Sequence, residues 1–327
     1  MNRPRPAPLP RRAALATLAL LACTPALAQT FPDKAITFVV PFAAGTATDQ
    51  IARALANGIT TETRQAVVID NRAGASGFIA SQQVAKAPAD GYTVLITTNT
   101  THAANEHLFK KLPYDPVKDF APVAALGKGG QIMVVNQQSP AKSVGEFIAM
   151  ARKEPGKYSF GSGSSSSRMA GELLQQMADI KLLHVPYKSN TLAVTDLLGG
   201  QINMMITDTA TGLPQVRAGK LRALGMSGSK RTPLAPDVPT IAEAGVPGYE
   251  MGYWFAAYAP AKTPPAVVRR LNELLVAAAR SEAARTSFYE PTGTEVFTTS
   301  PEDLARFQAG ESQKWGRIVK AAGIEAE

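Results

Sequence analysis

The 327-residue chain is poor in cysteine and histidine, with one cysteine, Cys23, and three histidines. A lone cysteine forms no intramolecular disulfide, and scattered histidines offer few metal ligands. His102 and His107 stand five residues apart, which places them on different faces of a helix. We therefore expect no disulfide framework, no thiol chemistry and no metal site, and the sequence carries no cofactor motif.

Strong charge is also missing. Charged residues make up 18% of the chain and apolar residues 45%, and the formal net charge is +8. Four arginines, all within the first 12 residues, supply half of that excess. No stripe of lysine and arginine of the kind that binds nucleic acid occurs, so we expect no nucleic-acid partner. The mild positive balance suits an anionic small molecule, but only weakly.

Long apolar runs are absent as well. The run "AALATLALLA" at residues 13–22 is shorter than the ~20 residues that a membrane-spanning helix needs. Arginines precede it, and Ala26 and Ala28 follow it with the spacing of a cleavage site. This order predicts a secretory signal peptide over residues 1–28, cleaved near Ala28, and a protein exported to the periplasm.

Two other export signals overlap this segment. Leu20 to Cys23 resembles a lipoprotein box, in which Cys23 would carry the lipid. Arg11-Arg12 resembles a twin-arginine signal. The small residues at 26 and 28 compete with the first, and Ala13-Ala14-Leu15 fits the second poorly, so the route of export stays open.

The rest of the chain alternates β-branched apolar runs with helix patterns. Helix starts are indicated by Ser143-x-x-Glu146 and Thr240-x-x-Glu243, which have the form of capping boxes. Runs that are apolar on both faces are typical of sheets covered by helices, so the sequence predicts an α/β fold. The predicted strands are 35–42, 66–71, 93–98, 131–136, 202–207, 221–226 and 254–260.

The stretch "VVPFAAGTATDQIARALA" shows where a strand gives way to a helix. Small residues follow Phe42, and Thr46-x-x-Asp49 has the form of a capping box that opens a helix. Free backbone N–H groups at a helix start favour an anion, and small side chains let a ligand approach them. The alternative is a tight strand–helix turn that binds nothing.

In a second loop, "FGSGSSSSRMAGELL", glycine and serine also replace larger side chains just before a helix. Its hydroxyls on Ser165, Ser166 and Ser167 suit ligand binding or a flexible polar loop. The glycine spacing fits neither a nucleophile elbow nor a P-loop. Asp208 ends another strand, where a carboxylate orients a ligand amine or hydroxyl, or caps the next turn. Since no nucleophile–base pair emerges, binding is favoured over catalysis.

Six motifs are spread along the mature chain: "FPDKAITFVVPFAAGTATDQIAR", "VVIDNRAGASGFIA", "APADGYTVLITTNTTHAAN", "LPYDPVKDFAPVA", "SFGSGSSSSRMAGELL" and "HVPYKSNTLAVTDLLGGQINMM". Together they resemble the Bug (TctC-like) family of periplasmic solute-binding receptors of tripartite tricarboxylate transporters. The first loop of that family, Pro-Phe-x-x-Gly-Gly, reads Pro-Phe-Ala-Ala-Gly-Thr here, with Thr46 in place of the second glycine.

The resemblance implies a type II-like periplasmic binding protein with two α/β domains, each a mainly parallel sheet covered by helices. Domain 1 would comprise residues 29–126 and 252–327, and domain 2 residues 127–251. A small carboxylate would bind in the cleft between them. The implied ligand-binding residues are Phe42, Ala44, Gly45, Thr46, Thr48, Thr98, Asn99, Ser165, Ser166, Ser167 and Asp208.

The resemblance also implies partners. A monomeric receptor would deliver its carboxylate to the membrane permease of a tripartite tricarboxylate-type transporter, and no reaction would occur in it. Two alternatives stay open. One is a periplasmic sensor with the same fold that docks on a signalling protein. The other is a secreted hydrolase that uses Ser166 or Asp208.

Overall fold

A computed structural model describes residues 31–321 and 323–326. The predicted signal peptide, with Cys23 and the cleavage position near Ala28, lies outside the described residues. Within the described ranges, no helix has both the length and the apolar character that crossing a membrane requires.

One continuous sheet of nine strands runs through the described residues, in the order β2-β1-β3-β9-β4-β7-β5-β6, with β8 also paired to β4. The strands are β1 (Ile36–Val40), β2 (Val67–Asn71), β3 (Thr93–Thr98), β4 (Phe120–Asn136), β5 (Ser159–Ser162), β6 (Leu183–Pro186), β7 (Met204–Asp208), β8 (Leu221–Met226) and β9 (Gly252–Pro260).

The sheet divides into two lobes that share β4. Lobe 1 contains β2, β1, β3, β9 and the first part of β4, and lobe 2 contains the last part of β4 with β8, β7, β5 and β6. Strands β2-β1-β3 and β7-β5-β6 pair in parallel, whereas β9 and β4 run antiparallel to their neighbours. The predicted α/β class is confirmed. The part of the sheet in each lobe is mixed, because the connecting strands β4 and β9 are antiparallel to their neighbours.

Strand β4 changes partner in its middle. It pairs with β9 up to the register Gly130↔Gly252 and with β7 from the register Gln131↔Asp208 onward. The chain thus passes from lobe 1 to lobe 2 between Gly130 and Gln131. The domain boundaries expected from the sequence, at 126/127 and 251/252, fall inside β4 and at the start of β9, and they stay a prediction.

Helices cover both faces of the sheet. They are α1 (Ala47–Thr63), α2 (Phe78–Ala85), α3 (Val144–Lys153), α4 (Ser165–Ala178), α5 (Asn190–Leu198), α6 (Thr209–Arg217), α7 (Pro265–Arg280) and α8 (Pro301–Ala321). A 3-10 turn (Ala75–Gly77), a π-helical turn (Thr100–Ala104) and the short helix Asn105–Leu108 lie between the early elements.

One predicted helix forms only a turn. Thr240 and Glu243 do make the reciprocal hydrogen bonds of a capping box, at 3.0 and 2.8 Å. The residues after them fold as turns because Gly245 adopts a φ of +116° and Pro247 follows it.

Four helices begin directly after parallel strands. Helix α1 follows β1, α4 follows β5, α5 follows β6 and α6 follows β7. The carboxyl ends of parallel strands meet at one edge of each lobe, so these helix starts gather at the cleft between the lobes.

The core has three clusters of buried apolar residues. One fills a face of lobe 1 between the sheet, α1 and α7, and another lies in lobe 2 around α5 and α6. The largest runs through both lobes and includes Phe160 from lobe 2 and Trp254 and Trp315 from lobe 1. The lobes are therefore packed against each other beside the cleft as well as joined by strands.

Candidate functional site

The loop after β1 presents an uncapped helix start. Thr46 is the N-cap residue of α1, but its hydroxyl donates to the carbonyl of Ala43 at 2.7 Å and does not cap the helix. The capping box predicted for Thr46 and Asp49 is therefore not formed. Among the described residues, none of the N–H groups in the first turn of α1, those of Ala47, Thr48 and Asp49, has a side-chain acceptor.

Asp49 holds this loop from inside. Its carboxylate accepts hydrogen bonds from the Gly45 N–H at 2.9 Å, from Arg53 at 2.9 Å and from the Asn71 amide at 3.1 Å. Burial alone would raise the pKa of Asp49, but these hydrogen bonds and the Arg53 charge outweigh it, so the pKa is lowered. Asp49 thus stays ionised and fixes the loop that carries the open helix start.

In lobe 2, a side chain at each helix start accepts a hydrogen bond from one backbone N–H of the first turn. Ser164 accepts from the Ser167 N–H at the start of α4, and Ser189 accepts from the Leu192 N–H at the start of α5. These hydroxyls satisfy backbone donors that would otherwise be open to a ligand.

Asp208 caps α6 in the same manner. Its Oδ1 accepts from the Thr211 N–H at 2.8 Å, and its Oδ2 accepts from the Asn190 side-chain amide at 3.0 Å. Asn190 in turn accepts from the Gly163 N–H at 2.9 Å, which ties the loops before α4, α5 and α6 together.

A cavity lies where these loops meet. Its volume is about 40 Å³, on the scale on which one water molecule needs about 10–15 Å³. One carboxylate and no lysine or arginine line it. The lining residues are Phe42, Thr46, Ala47, Thr48, Thr98, Gln131, Gly163, Ser164, Ser166, Asn190, Asp208, Tyr253 and Phe255.

A larger cavity of about 390 Å³ adjoins the first and shares Phe42, Gly163 and Ser164 with it. It contains cationic residues, Arg168 and Lys188, which lie on the lobe 2 side of the cleft. The first cavity, called the inner cavity below, thus has a more basic neighbour.

Six of the eleven residues expected to bind ligand line the inner cavity. They are Phe42, Thr46, Thr48, Thr98, Ser166 and Asp208. Whether they contact a ligand stays a prediction.

The other five do not line the first cavity, although Ser165 lines the larger one beside it. Ala44 and Gly45 are exposed on the loop. Asn99 is fully buried and donates to the Gly252 carbonyl at 3.2 Å. Ser165 donates to Asn105 at 2.8 Å, and Ser167 donates to the Ile206 carbonyl. Their side chains are engaged within the protein because helical geometry turns successive residues to different sides.

Several lining residues were not anticipated from the sequence. Gln131 and Asn190 bring side-chain amides, and Tyr253 and Phe255 bring aromatic rings. The Tyr253 hydroxyl lies between Thr209 at 3.2 Å and Thr294 at 3.0 Å, and burial raises the pKa of Tyr253 to about 12. The sequence feature that could have identified these residues is their position near the end of a strand or near the point where the chain passes between lobes.

The cavity offers hydrogen-bond donors. Among the described residues, the Ser166 hydroxyl forms a hydrogen bond with the Ser164 hydroxyl, at 3.3 Å, and His184 forms one with Ser162, at 2.7 Å. No base therefore lies beside Ser166 among the described contacts. Within the described residues, no group of three or more His, Cys, Asp or Glu side chains is arranged to hold a metal.

Comparison with known proteins agrees with this architecture. Residues 51–324 match the family model described as the tripartite tricarboxylate transporter family receptor, TctC. Three solved structures cover 88–91% of this chain, and the chain covers the whole of each.

The first of these is a Rhodopseudomonas palustris protein, Rpa4515, with adipate, at 36% identity and a TM-score of 0.88. The second is the periplasmic binding protein BugD, at 31% identity and a TM-score of 0.86. The third is MatC of Rhodopseudomonas palustris with bound malate, at 32% identity and a TM-score of 0.83. These likenesses confirm the two-domain periplasmic binding protein fold.

Proposed function

The chain belongs to the TctC family of tripartite tricarboxylate transporter receptors, and from that premise we propose that it captures a small carboxylate between its two lobes. The observation that carries the proposal is the uncapped start of α1 in the wall of an enclosed cavity. Adipate and malate, bound by two similar proteins, are both small carboxylates.

The electrostatics of the cavity support an anionic ligand. Helices α1, α4, α5 and α6 all begin at its wall, and each start carries the positive end of a helix dipole. A charged acceptor bound to a backbone N–H gains roughly 1.5–3 kcal/mol. In our proposal the ligand carboxylate accepts from the N–H groups of Ala47 and Thr48, and the hydroxyls of Thr98 and Ser166 complete its shell.

We propose that the lobes move as the domains expected from the sequence, residues 29–126 with 252–327 and residues 127–251. The partner exchange of β4 between Gly130 and Gln131 supports a pivot there. Closure around the ligand would create the surface that a membrane permease recognises. The receptor would act as a monomer and leave transport energy to its partners.

We also propose export to the periplasm after removal of residues 1–28, since BugD is a periplasmic binding protein. The sensor alternative uses the same cavity and differs only in its docking partner, so deletion of the permease genes separates the two. A hydrolase is less well supported, because the Asp208 carboxylate caps α6 and no base among the described residues forms a hydrogen bond with Ser166.

The proposal is tested by thermal unfolding of residues 29–327, refolded free of ligand, against a panel of small carboxylates and their uncharged amides. A ligand at about 100 times its dissociation constant stabilises the protein by roughly 2.7 kcal/mol. We expect at least one carboxylate to raise the unfolding midpoint and its amide to leave it unchanged. A panel without any shift, or equal shifts with acid and amide, would refute carboxylate binding.

A further inference from the structure

We infer that the ligand carries, on the same small skeleton as its carboxylate, a hydroxyl or ammonium group whose hydrogen bond Asp208 accepts. The inference rests on the proposed function and narrows its ligand class. It separates donor-bearing acids from plain acids such as adipate.

Asp208 is the single charged residue in the cavity lining. It lies at the end of β7 and is 9% exposed. Its Oδ1 accepts from the Thr211 N–H at 2.8 Å, and its Oδ2 accepts from the Asn190 amide at 3.0 Å and from the Thr207 hydroxyl at 3.4 Å. A carboxylate has about four acceptor sites, so Asp208 retains capacity for one further donor, on Oδ1.

The charge of Asp208 opposes a plain anion in the same cavity. No lysine or arginine lines the cavity to offset that charge. A ligand that turns a donor toward Asp208 converts this repulsion into a hydrogen bond, and an ammonium group adds an ion pair. The cavity therefore favours carboxylates that also carry a hydroxyl or ammonium group over carboxylates that do not.

The two lobes present different hydrogen-bonding groups to the cavity. In α1 of lobe 1 no N–H group of the first turn has a side-chain acceptor among the described residues, whereas in α4, α5 and α6 the third N–H group is taken by Ser164, Ser189 and Asp208. The Asp208 charge also disfavours a second carboxylate on its side of the cavity. A ligand carboxylate is thus drawn to lobe 1. Its second group then faces the acceptor of lobe 2.

Gln131 provides an independent observation at the Asp208 end. It stands opposite Asp208 in the β4–β7 register, lines the cavity and is only 1% exposed. Its backbone is fixed by Ser227, yet its side-chain oxygen has no hydrogen-bond partner among the described residues. A buried amide oxygen without a donor is costly, so this side of the cavity suits a ligand that brings a hydrogen-bond donor.

Calorimetric titration with three matched series tests the inference. The series are succinate, malate and aspartate; glutarate, 2-hydroxyglutarate and glutamate; and propionate, lactate and alanine. Within each series the skeleton is constant and the substituent is hydrogen, hydroxyl or ammonium. We expect the best ligand to be a hydroxy or amino acid that binds at least 10-fold more tightly than its unsubstituted partner.

The variant Asp208→Asn sharpens the test, because asparagine also caps helices well. We expect it to weaken an ammonium ligand by at least 10-fold, to weaken a hydroxyl ligand less, and to strengthen the unsubstituted acid. Asp196→Asn, which removes a carboxylate of α5 away from the cavity lining, is the matched control and should change none of these affinities. If the Asp208 variant fails to fold, the wild-type series alone decide.

The outcomes distinguish the two proposals. Equal or tighter binding of the unsubstituted acid overturns the donor requirement and leaves carboxylate capture standing. Binding by none of the nine compounds, and no shift in the wider panel, overturns both.

Discussion

The two lobes build the same feature, a strand followed by a helix start, in opposite ways. In lobe 2 the starts of α4, α5 and α6 are capped by Ser164, Ser189 and Asp208. In lobe 1 the start of α1 is uncapped, because the Thr46 hydroxyl turns back to the Ala43 carbonyl. Each helix start of lobe 2 thus has one donor fewer for a ligand than the start of α1 in lobe 1.

This contrast explains how a cavity without lysine or arginine can attract an anion. The backbone of α1 supplies fixed donors that cannot titrate, and Asp49 pins the loop that carries them. The side chains of lobe 2 then select among anions. Attraction and selection are divided between the lobes, and each can be altered separately.

The largest effect is expected from Ala47→Pro. Proline is tolerated at the first helical position and removes its N–H, and Thr46 already has the extended conformation that must precede proline (φ −72°, ψ 161°). Loss of a hydrogen bond to a charged ligand costs roughly 1.5–3 kcal/mol, so the affinity for the carboxylate should fall about 10- to 100-fold. Calorimetric titration measures this.

The control for this variant is Ala47→Ser, which keeps the N–H and should bind within about threefold of the parent. The unfolding midpoint of the ligand-free protein should stay close to that of the parent for both variants. Unchanged affinity of the proline variant would show that the start of α1 does not hold the ligand.

A second prediction concerns acid, to which lobe 1 contributes His102. Its ring is fully buried and stacks on the Tyr258 ring, with 3.8 Å between the ring centroids. Burial lowers the pKa of His102 to about 3. The unfolded chain takes up this proton near pH 6.5, so stability is present above pH 6.5 and is lost as pH falls toward 3. At pH 5 the loss should be about 2 kcal/mol relative to pH 7.

Urea unfolding at pH 7 and pH 5 measures this loss, and His102→Gln should abolish most of it at the expense of lower stability at pH 7. His107, which is partly exposed and contacts Ser312 at 3.1 Å, provides the comparison variant His107→Gln. If both variants keep the full pH dependence, other groups must account for it.

The sequence anticipated the elements of the fold well where the local pattern is strong. Strands β1, β2, β3 and β8 lie within or match the predicted runs. The first half of β4 was missed, because Pro122 and the glycines at 127, 129 and 130 do not resemble a strand. That half forms because β9 pairs with it, with register shifts at Pro122/Ala124 and Ala125/Gly127. Long-range pairing overrides weak local preference there.

The site was anticipated only in its loops. The change from bulky to small residues pointed to Thr46 and Thr48 because a helix start after a strand is a local pattern. Gln131 and Tyr253 escaped notice because they lie on the strands that connect the lobes. Which strands meet at the cleft is decided by topology, and which way a side chain such as Ser167 points is decided by helical phase.

The third prediction concerns a variant that removes one hydrogen bond between the lobes. The Ser165 hydroxyl of lobe 2 donates to the side-chain amide oxygen of Asn105 in lobe 1 at 2.8 Å, and both residues are buried. Ser165→Ala should destabilise this contact between the lobes by about 1 kcal/mol and weaken ligand binding about fivefold. The readout is affinity together with the radius of gyration with and without ligand.

A matched control lies two residues further along α4. Ser167 is also buried, but it donates to the Ile206 carbonyl inside lobe 2. Ser167→Ala should lower the unfolding midpoint and leave affinity unchanged. Equal losses of affinity from both variants would show that Ser165 acts through stability of lobe 2 and not through closure.

The smallest effect is the most direct measure of the contrast between the lobes. Ser164→Ala removes a true cap, since the Ser167 N–H loses its acceptor, and should destabilise the ligand-free protein by about 1 kcal/mol. Thr46→Ala removes no cap and leaves the Ala43 carbonyl paired with the Thr46 N–H, so its cost should stay below about 0.5 kcal/mol. Urea unfolding resolves this difference. Equal costs would mean that Thr46 caps α1 in solution, and the open helix start on which ligand capture depends would not exist.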